Sequence, residues 1–458
     1  MKGKTPGSLG PDSVSTRLDR IAELSRQLRG KELTTLAHHV DLVWMYEAYG
    51  RTRKGGGVGV DGQTGREYGS NLDANLRSLL ERFHSGRYRA PSVRRVEIPK
   101  GDGGSRPIGI PTFEDKVLQR AVSMALEAVY EQDFLDCSYG FRSGRSAHQA
   151  LQALWEGVSE LGGGWVIDLD IASYFDTLDH GKLREILDQR VRDGVIRRQI
   201  DKWLKAGVMS EGRTIRPVAG TPQGGVISPM LANIYLHEVL DGWFEAEVRP
   251  RLRGRAFMVR YADDAVLVFS EKRDAERVME VLPKRFERFG LRLHPKKTRL
   301  VRFERPQRDV DPRSGEPPGT FEFLGLTHYW GRSRRRNWAV KRKTSAARFR
   351  RALRTLSEWL RRHRHLPVRV QQSVLCRALE GHNRYYGVTT NHGSLARFTY
   401  CVKCVWHKWL SRRSQRGMTK EQFFNGLLRR HPLPEPRCYA SVYRQPPGAA
   451  NLLLRGAG

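Results

Sequence analysis

Two adjacent acids at the joint of two apolar runs constrain this chain more than anything else in it. Tyr261-Ala262-Asp263-Asp264 stands between Ala256-Phe257-Met258-Val259 and Ala265-Val266-Leu267-Val268-Phe269, which reads as two buried strands joined by a turn carrying paired charge into a sheet. Unpaired ions there are expensive, and a divalent cation with hard oxygen ligands is the usual remedy. A second acidic strand lies upstream, where Trp165-Val166-Ile167-Asp168-Leu169-Asp170-Ile171 runs into Ala172-Ser173-Tyr174-Phe175-Asp176. Alternation puts Asp168 and Asp170 on one face, so this strand offers a third carboxylate. Three carboxylates on neighbouring strands can hold two magnesium ions about 4 Å apart, which activate an attacking hydroxyl and stabilise a leaving pyrophosphate. That is nucleotidyl-transfer chemistry. An isolated Asp-Asp pair is more often a solvated turn, but this one has an acidic strand beside it.

Further blocks carry a family resemblance: Gly59-Val60-Asp61-Gly62, Arg106-Pro107-Ile108-Gly109-Ile110-Pro111, Tyr139-Gly140-Phe141-Arg142, Asp170 through Asp176, Gly220-Thr221-Pro222-Gln223-Gly224-Gly225, the Tyr-Ala-Asp-Asp turn, Pro295-Lys296-Lys297-Thr298 and Phe323-Leu324-Gly325. In this order they resemble the reverse transcriptases encoded by bacterial group II introns, the intron maturases. The resemblance implies an α+β, right-hand polymerase fold with fingers and palm, then an α-helical thumb or maturase domain. The boundaries it suggests are an N-terminal extension over 1–34, fingers and palm over 35–330, the thumb over 331–410, a small basic DNA-binding region over 411–445 and a flexible tail over 446–458.

By the same resemblance, Asp170, Asp263 and Asp264 are the catalytic carboxylates holding two Mg²⁺ ions, and Asp168 is a neighbouring acid outside the chemistry. Lys100, Arg106, Ile171, Phe175 and Gln223 face the incoming dNTP. Phe175, five residues after Asp170, takes the position of a ring that excludes a ribose 2′-hydroxyl. Phe323, Leu324 and Gly325 resemble the primer-positioning hairpin. Lys297 falls where the family supplies a proton to pyrophosphate, although a solvated lysine is the commoner case. The partners implied are group II intron RNA, an RNA template with a DNA primer, target DNA and dNTPs. The rivals are a splicing-only RNA-binding maturase and a host-adapted relative in DNA repair or defence.

Charge agrees with a polyanionic partner. The net charge is +32, and residues 331–430 hold 26 Lys and Arg against 3 Glu; neutralised phosphates release counterions and so gain affinity. Candidate contacts are Arg142 and Arg145, Arg334, Arg335 and Arg336, Lys341, Arg342 and Lys343, and Arg412, Arg413 and Arg416, with ordinary surface charge as the rival reading. No apolar run approaches the roughly 20 residues that span a bilayer, and Met1-Lys2-Gly3-Lys4 opens no signal peptide, so the reading is a cytoplasmic, nucleoid-associated protein without membrane contact. Five cysteines and no export signal argue for a reducing compartment. Cys401-Val402-Lys403-Cys404 has half a zinc site's spacing but sits in a helical pattern, so no zinc is expected. No endonuclease domain is expected after Arg416, which implies priming from existing 3′ ends.

Local patterns complete the reading. Residues 17–50 read as helical. Val93–Pro99 and 106–110 read as a hairpin turning at Gly101-Asp102-Gly103-Gly104. Ser146 is an expected N-cap for the helix from Ala147, and Ser228 one for the helix containing Pro229. Three thumb helices are expected near 344–364, 367–386 and 394–412.

Overall fold

The computed structural model describes residues 12–99, 104–210, 213–215, 224–306 and 319–440. Helices precede the first strand, helices and strands are interspersed from there to residue 344, and the described elements after that are helical. In chain order the strands are β1 (Val93–Pro99), β2 (Ser105–Ile110), β3 (Trp165–Leu169), β4 (Val208–Ser210), β5 (Arg213–Ile215), β6 (Ala256–Tyr261), β7 (Asp264–Phe269), β8 (Arg299–Arg302), β9 (Phe321–Phe323), β10 (Leu326–Arg332) and β11 (Trp338–Thr344). They form two four-stranded sheets, β2-β1-β4-β5 and β6-β7-β3-β8, and a three-stranded sheet, β11-β10-β9. The chain divides into two compact units, each assembled from separated stretches of sequence.

The first unit comprises 1–144, 170–251 and 280–295. Its β1–β2 hairpin is the expected one, paired antiparallel from Arg94↔Ile110 to Pro99↔Ser105. Helix Phe113–Tyr130 forms a core of this unit: Val117, Leu118, Ala121, Val122, Ala125 and Leu126 are all fully buried, at helical spacing with a second apolar face. Thr112 caps it by accepting from the Asp115 amide. The single helical stretch expected over 17–50 is two helices, Asp12–Gln27 and Leu42–Arg51. Gly30 turns left-handed (φ +74°) between them, and the Asp41 side chain starts the second by accepting from the Trp44 amide. Ser228 is not an N-cap: it is the first helical residue, the preceding Ile227 takes the cap position without a side-chain bond, and Pro229 still opens the helix.

The second unit comprises 145–169, 252–279 and 296–458. Its β6-β7-β3-β8 sheet is antiparallel throughout, and Ala265 to Phe269 are all buried, as the apolar run requires. Helix Ala147–Leu161 starts at Ser146, whose hydroxyl accepts from the Gln149 amide. A Cβ at Gly157 would come within 2.4 Å of the Phe257 ring, so this glycine lets the helix lie close on β6. Three long helices follow, Ala346–Arg362, Val368–Tyr386 and His392–Ser411, close to the expected bounds. Leu360, Leu375, Leu379, Phe398, Val402 and Trp406 form their core. Cys401 and Cys404 lie on the third of these helices. No helix among the described residues is long and apolar enough to cross a membrane.

Candidate active site

The acidic turn is built from inside the sheet. Tyr261 pairs with Asp264 across β6 and β7, leaving Ala262 and Asp263 as a two-residue turn in which Ala262 adopts φ +58°. Left-handed backbone costs an alanine roughly 1–2 kcal/mol, and a buried cation holds the strain in place. Arg260 is fully buried on β6, and its guanidinium donates to the Ala262 carbonyl at 2.9 Å. The sequence pointed to the acids and missed this arginine. Its only signal is its place in an otherwise apolar strand.

β3 lies beside β7, with Leu169 opposite Ala265. The strand therefore ends one residue before Asp170, and its partner begins at Asp264. In the first unit, the Asp170 carbonyl accepts from the His294 amide at 2.8 Å, and Ile171 bridges Leu293. The Asp168 carboxylate meets Arg299 of β8 at 3.3 Å. Among the described residues, no three His, Cys, Asp or Glu side chains stand close enough together to hold an ion unaided. Mg²⁺ takes one or two carboxylates and completes its shell with water and substrate phosphates, so donor chemistry is what tests the fit, and Asp170, Asp263 and Asp264 supply only hard oxygens.

Phe175 sits on the short helix Tyr174–Thr177, entered through Ser173 at φ +48°. Tyr174 is buried and donates from its hydroxyl to the Ala232 carbonyl at 2.7 Å. Phe175 beside it is half-buried, with its ring centroid 5.3 Å from that of Tyr174. Ile171 is buried.

A polar hub holds the chain at Val226, just after Gly224 and Gly225. Asp115 is buried and accepts from the Trp203 indole at 2.6 Å, the Tyr88 hydroxyl at 2.9 Å and the Gln119 amide at 2.9 Å. Burial pushes its carboxyl up to about 6, against the pull of those three donors. The Gln119 oxygen in turn accepts from the Val226 amide at 2.7 Å. Gly224, at φ +114°, stands where a Cβ would fall 2.7 Å from the Gly109 carbonyl, so only glycine lets the loop approach β2 this closely. Lys100 and Gln223 lie outside the described residues. Arg106 lies on β2, and its side chain is not described.

The primer-positioning candidates form the β9–β10 turn. Phe323 is buried, and Leu324 and Gly325 take φ +50° and +76° in the tight turn between the paired strands β9 and β10. Tyr385 donates to the Leu324 carbonyl at 3.1 Å. Its phenol is pushed up to about 12, chiefly by burial, with Tyr386, Tyr261 and the Asp264 charge adding to it. Within the second unit, Tyr385 thus bonds the β9–β10 turn and feels the charge of the acidic turn.

The basic residues divide into two classes. Arg334, Arg335 and Arg336 are exposed in the β10–β11 turn, and Arg412, Arg413 and Arg416 are exposed after helix His392–Ser411. Arg412 covers the Trp409 ring, and Arg413 donates to the Leu366 carbonyl. Arg145 is half-buried. Two expectations fail. Arg342 is 2% exposed: strand alternation sends Lys341 and Lys343 outward and Arg342 inward, where it donates to the Leu151 carbonyl at 3.2 Å and burial lowers it to about 10. Arg142 is 7% exposed. It pairs with Glu131 at 2.9 Å and donates to the Leu135 and Ser138 carbonyls at 2.7 and 2.8 Å. Both guanidinium groups are turned into the protein interior.

Residues 98–328 match the family model described as reverse transcriptase (RNA-dependent DNA polymerase). The chain is 37% identical over 256 residues to Protein YkfC of Escherichia coli (strain K12), covering 49% of this chain and 67% of that protein. It is 35% identical over 227 residues to the group II intron-encoded protein LtrA of Lactococcus lactis subsp. cremoris, covering 48% and 37%. It is 25% identical over 223 residues to the nuclear intron maturase 2, mitochondrial, of Arabidopsis thaliana, covering 40% and 29%. The matches to the two intron proteins thus span well under half of their lengths.

Proposed function

The chain belongs to the reverse transcriptase family of RNA-dependent DNA polymerases, among those of group II introns, and from that premise we propose that it binds its parent intron RNA, assists its splicing and copies it into DNA. Asp170, Asp263 and Asp264 are the proposed Mg²⁺ ligands. The observation that carries this reading is the β3–β7 register: with Leu169 opposite Ala265, Asp170 follows one strand end and Asp264 opens the neighbouring strand. When bound, two Mg²⁺ ions would lower the pKa of the primer 3′-hydroxyl and neutralise charge on the leaving pyrophosphate.

The chain's own residues orient the reactants, and most of the rate enhancement in such chemistry is positioning and preorganised charge. Arg260 holds the acidic turn in one conformation through the Ala262 carbonyl. Phe175 lies under the sugar of a dNTP and rejects a 2′-hydroxyl by its bulk. The Asp115–Gln119 pair fixes the amide of Val226 beyond the glycine loop, and Lys100, Arg106 and Gln223 complete the nucleotide side. Phe323, Leu324 and Gly325 seat the primer end, with the three helices over 346–411 acting as the thumb. The exposed arginines at 334–336 and 412–416 bind intron RNA, template and target DNA.

The test is primer extension on an RNA template by Asp263→Asn, Asp264→Asn and Asp170→Asn proteins, with RNA binding measured in parallel. Each variant is expected to lose ~10³-fold or more in extension while binding RNA as the wild type does. Loss of both activities together would make the acids structural. Splicing of the flanking transcript at low magnesium, with and without protein, tests the intron assignment separately.

A further inference from the structure

We propose that Phe141 is a stacking platform for an unpaired base of the strand being copied. It is a bulky residue in left-handed backbone, at φ +57°, and the residue is 59% exposed. It is the one Phe among the exposed large apolar side chains of the described residues. Both features are unfavourable to a free protein, and strained positions persist only where the surroundings over-determine them.

Those surroundings are explicit. On one side, Gly140 offers its carbonyl to the Asn233 amide at 2.6 Å. On the other, Arg142 turns inward and is bound to Glu131, Leu135 and Ser138, with its guanidinium 5.2 Å from the Phe134 ring centroid. Two buried neighbours thus clamp the backbone so that the residue between them points out.

Placement identifies the occupant. Asn233, which holds Gly140, is next in sequence to Ala232, whose carbonyl holds Tyr174 beside Phe175. One helix, Ser228–Leu236, therefore anchors both the displayed ring and the proposed sugar gate at successive residues. In a chain of net charge +32, an exposed ring near the nucleotide side suits a nucleobase, because stacking tolerates any base while the basic surface tracks the backbone. The inference rests on the polymerase reading for which strand occupies the ring.

The experiment places 2-aminopurine in an RNA template just beyond the primer end and titrates wild type, Phe141→Ala, Phe141→Leu, Phe141→Tyr and Phe141→Gly proteins. Stacking predicts a fluorescence change that wild type and Phe141→Tyr share. Phe141→Ala, Phe141→Leu and Phe141→Gly should lose it and bind the template ~5- to 100-fold more weakly. Phe141→Gly should melt at or above the wild-type temperature, because glycine takes the left-handed conformation freely. The proposal is overturned if Phe141→Leu behaves as wild type, if Phe141→Gly melts well below it, or if only binding of folded intron RNA is impaired while the template response persists. Asp264→Asn protein is titrated as well. A response there with no extension by wild type would sink the polymerase reading and leave the base-stacking ring standing.

Discussion

Replacing Arg142 by Met separates a strut from a phosphate contact. The guanidinium is almost fully buried and serves four acceptors, the Glu131 carboxylate and the carbonyls of Leu135, Ser138 and Phe134. Methionine fills much of the volume but donates nothing, so a carboxylate and two close carbonyls lose their partner. Breaking a buried pair from one side costs about 3–5 kcal/mol. For a folding unit of this size that is on the order of 10 °C in melting temperature. Arg142→Lys should fall between, since one ammonium reaches fewer of the acceptors than a planar fork does. The assay is thermal unfolding together with RNA affinity across salt concentrations, measured well below the transition. A strut leaves the slope of log K against log salt unchanged. A phosphate contact would make it shallower by about 0.7 for a single strand. A variant that melts like wild type and shows the shallower slope would refute the reasoning.

Three further outcomes are expected. Asp115 has a folded-state pKa raised to about 6 by burial, so the folded chain holds the proton more tightly than the unfolded one. Stability should fall as pH rises from about 4 to about 6, by up to roughly 3 kcal/mol, and urea titrations of Asp115→Asn should show no such slope; a slope that survives the substitution belongs to another group. Phe175→Ala should admit ribonucleotides, lowering dNTP over rNTP discrimination in single-turnover extension by ~10²-fold; unchanged discrimination would reduce the ring to packing. Asp168→Asn removes a half-exposed ion pair with Arg299, worth about 0–1 kcal/mol, and should extend primers nearly as wild type does. If it is as inactive as Asp263→Asn, Asp168 and Asp170 have been assigned the wrong way round.

The acidic signal was legible in the sequence and the basic one only partly so, for a physical reason. An ionised carboxylate inside an apolar run has few ways to be satisfied, so Asp263-Asp264 between two hydrophobic strands marked a turn with a purpose, and the structure supplies that turn. Arginine is different. Its stem is apolar, its charge is diffuse and its five donors match backbone carbonyls, so a chain rich in arginine will bury some of it as scaffolding. Lys341-Arg342-Lys343 reads as one basic patch, yet the strand's two-residue period sorts it into two faces. Arg142 shows the same ambiguity beside a ring: the motif Tyr139-Gly140-Phe141-Arg142 invites the charged residue to be the contact, while the backbone turns the charge inward and the phenyl outward. Arg260 went unread because buried support inside a strand leaves no periodic trace. The turn that carries the acids and the loop that carries Phe141 are thus built alike, each a left-handed residue secured by a buried guanidinium, and in both the arginine matters for what it holds in place.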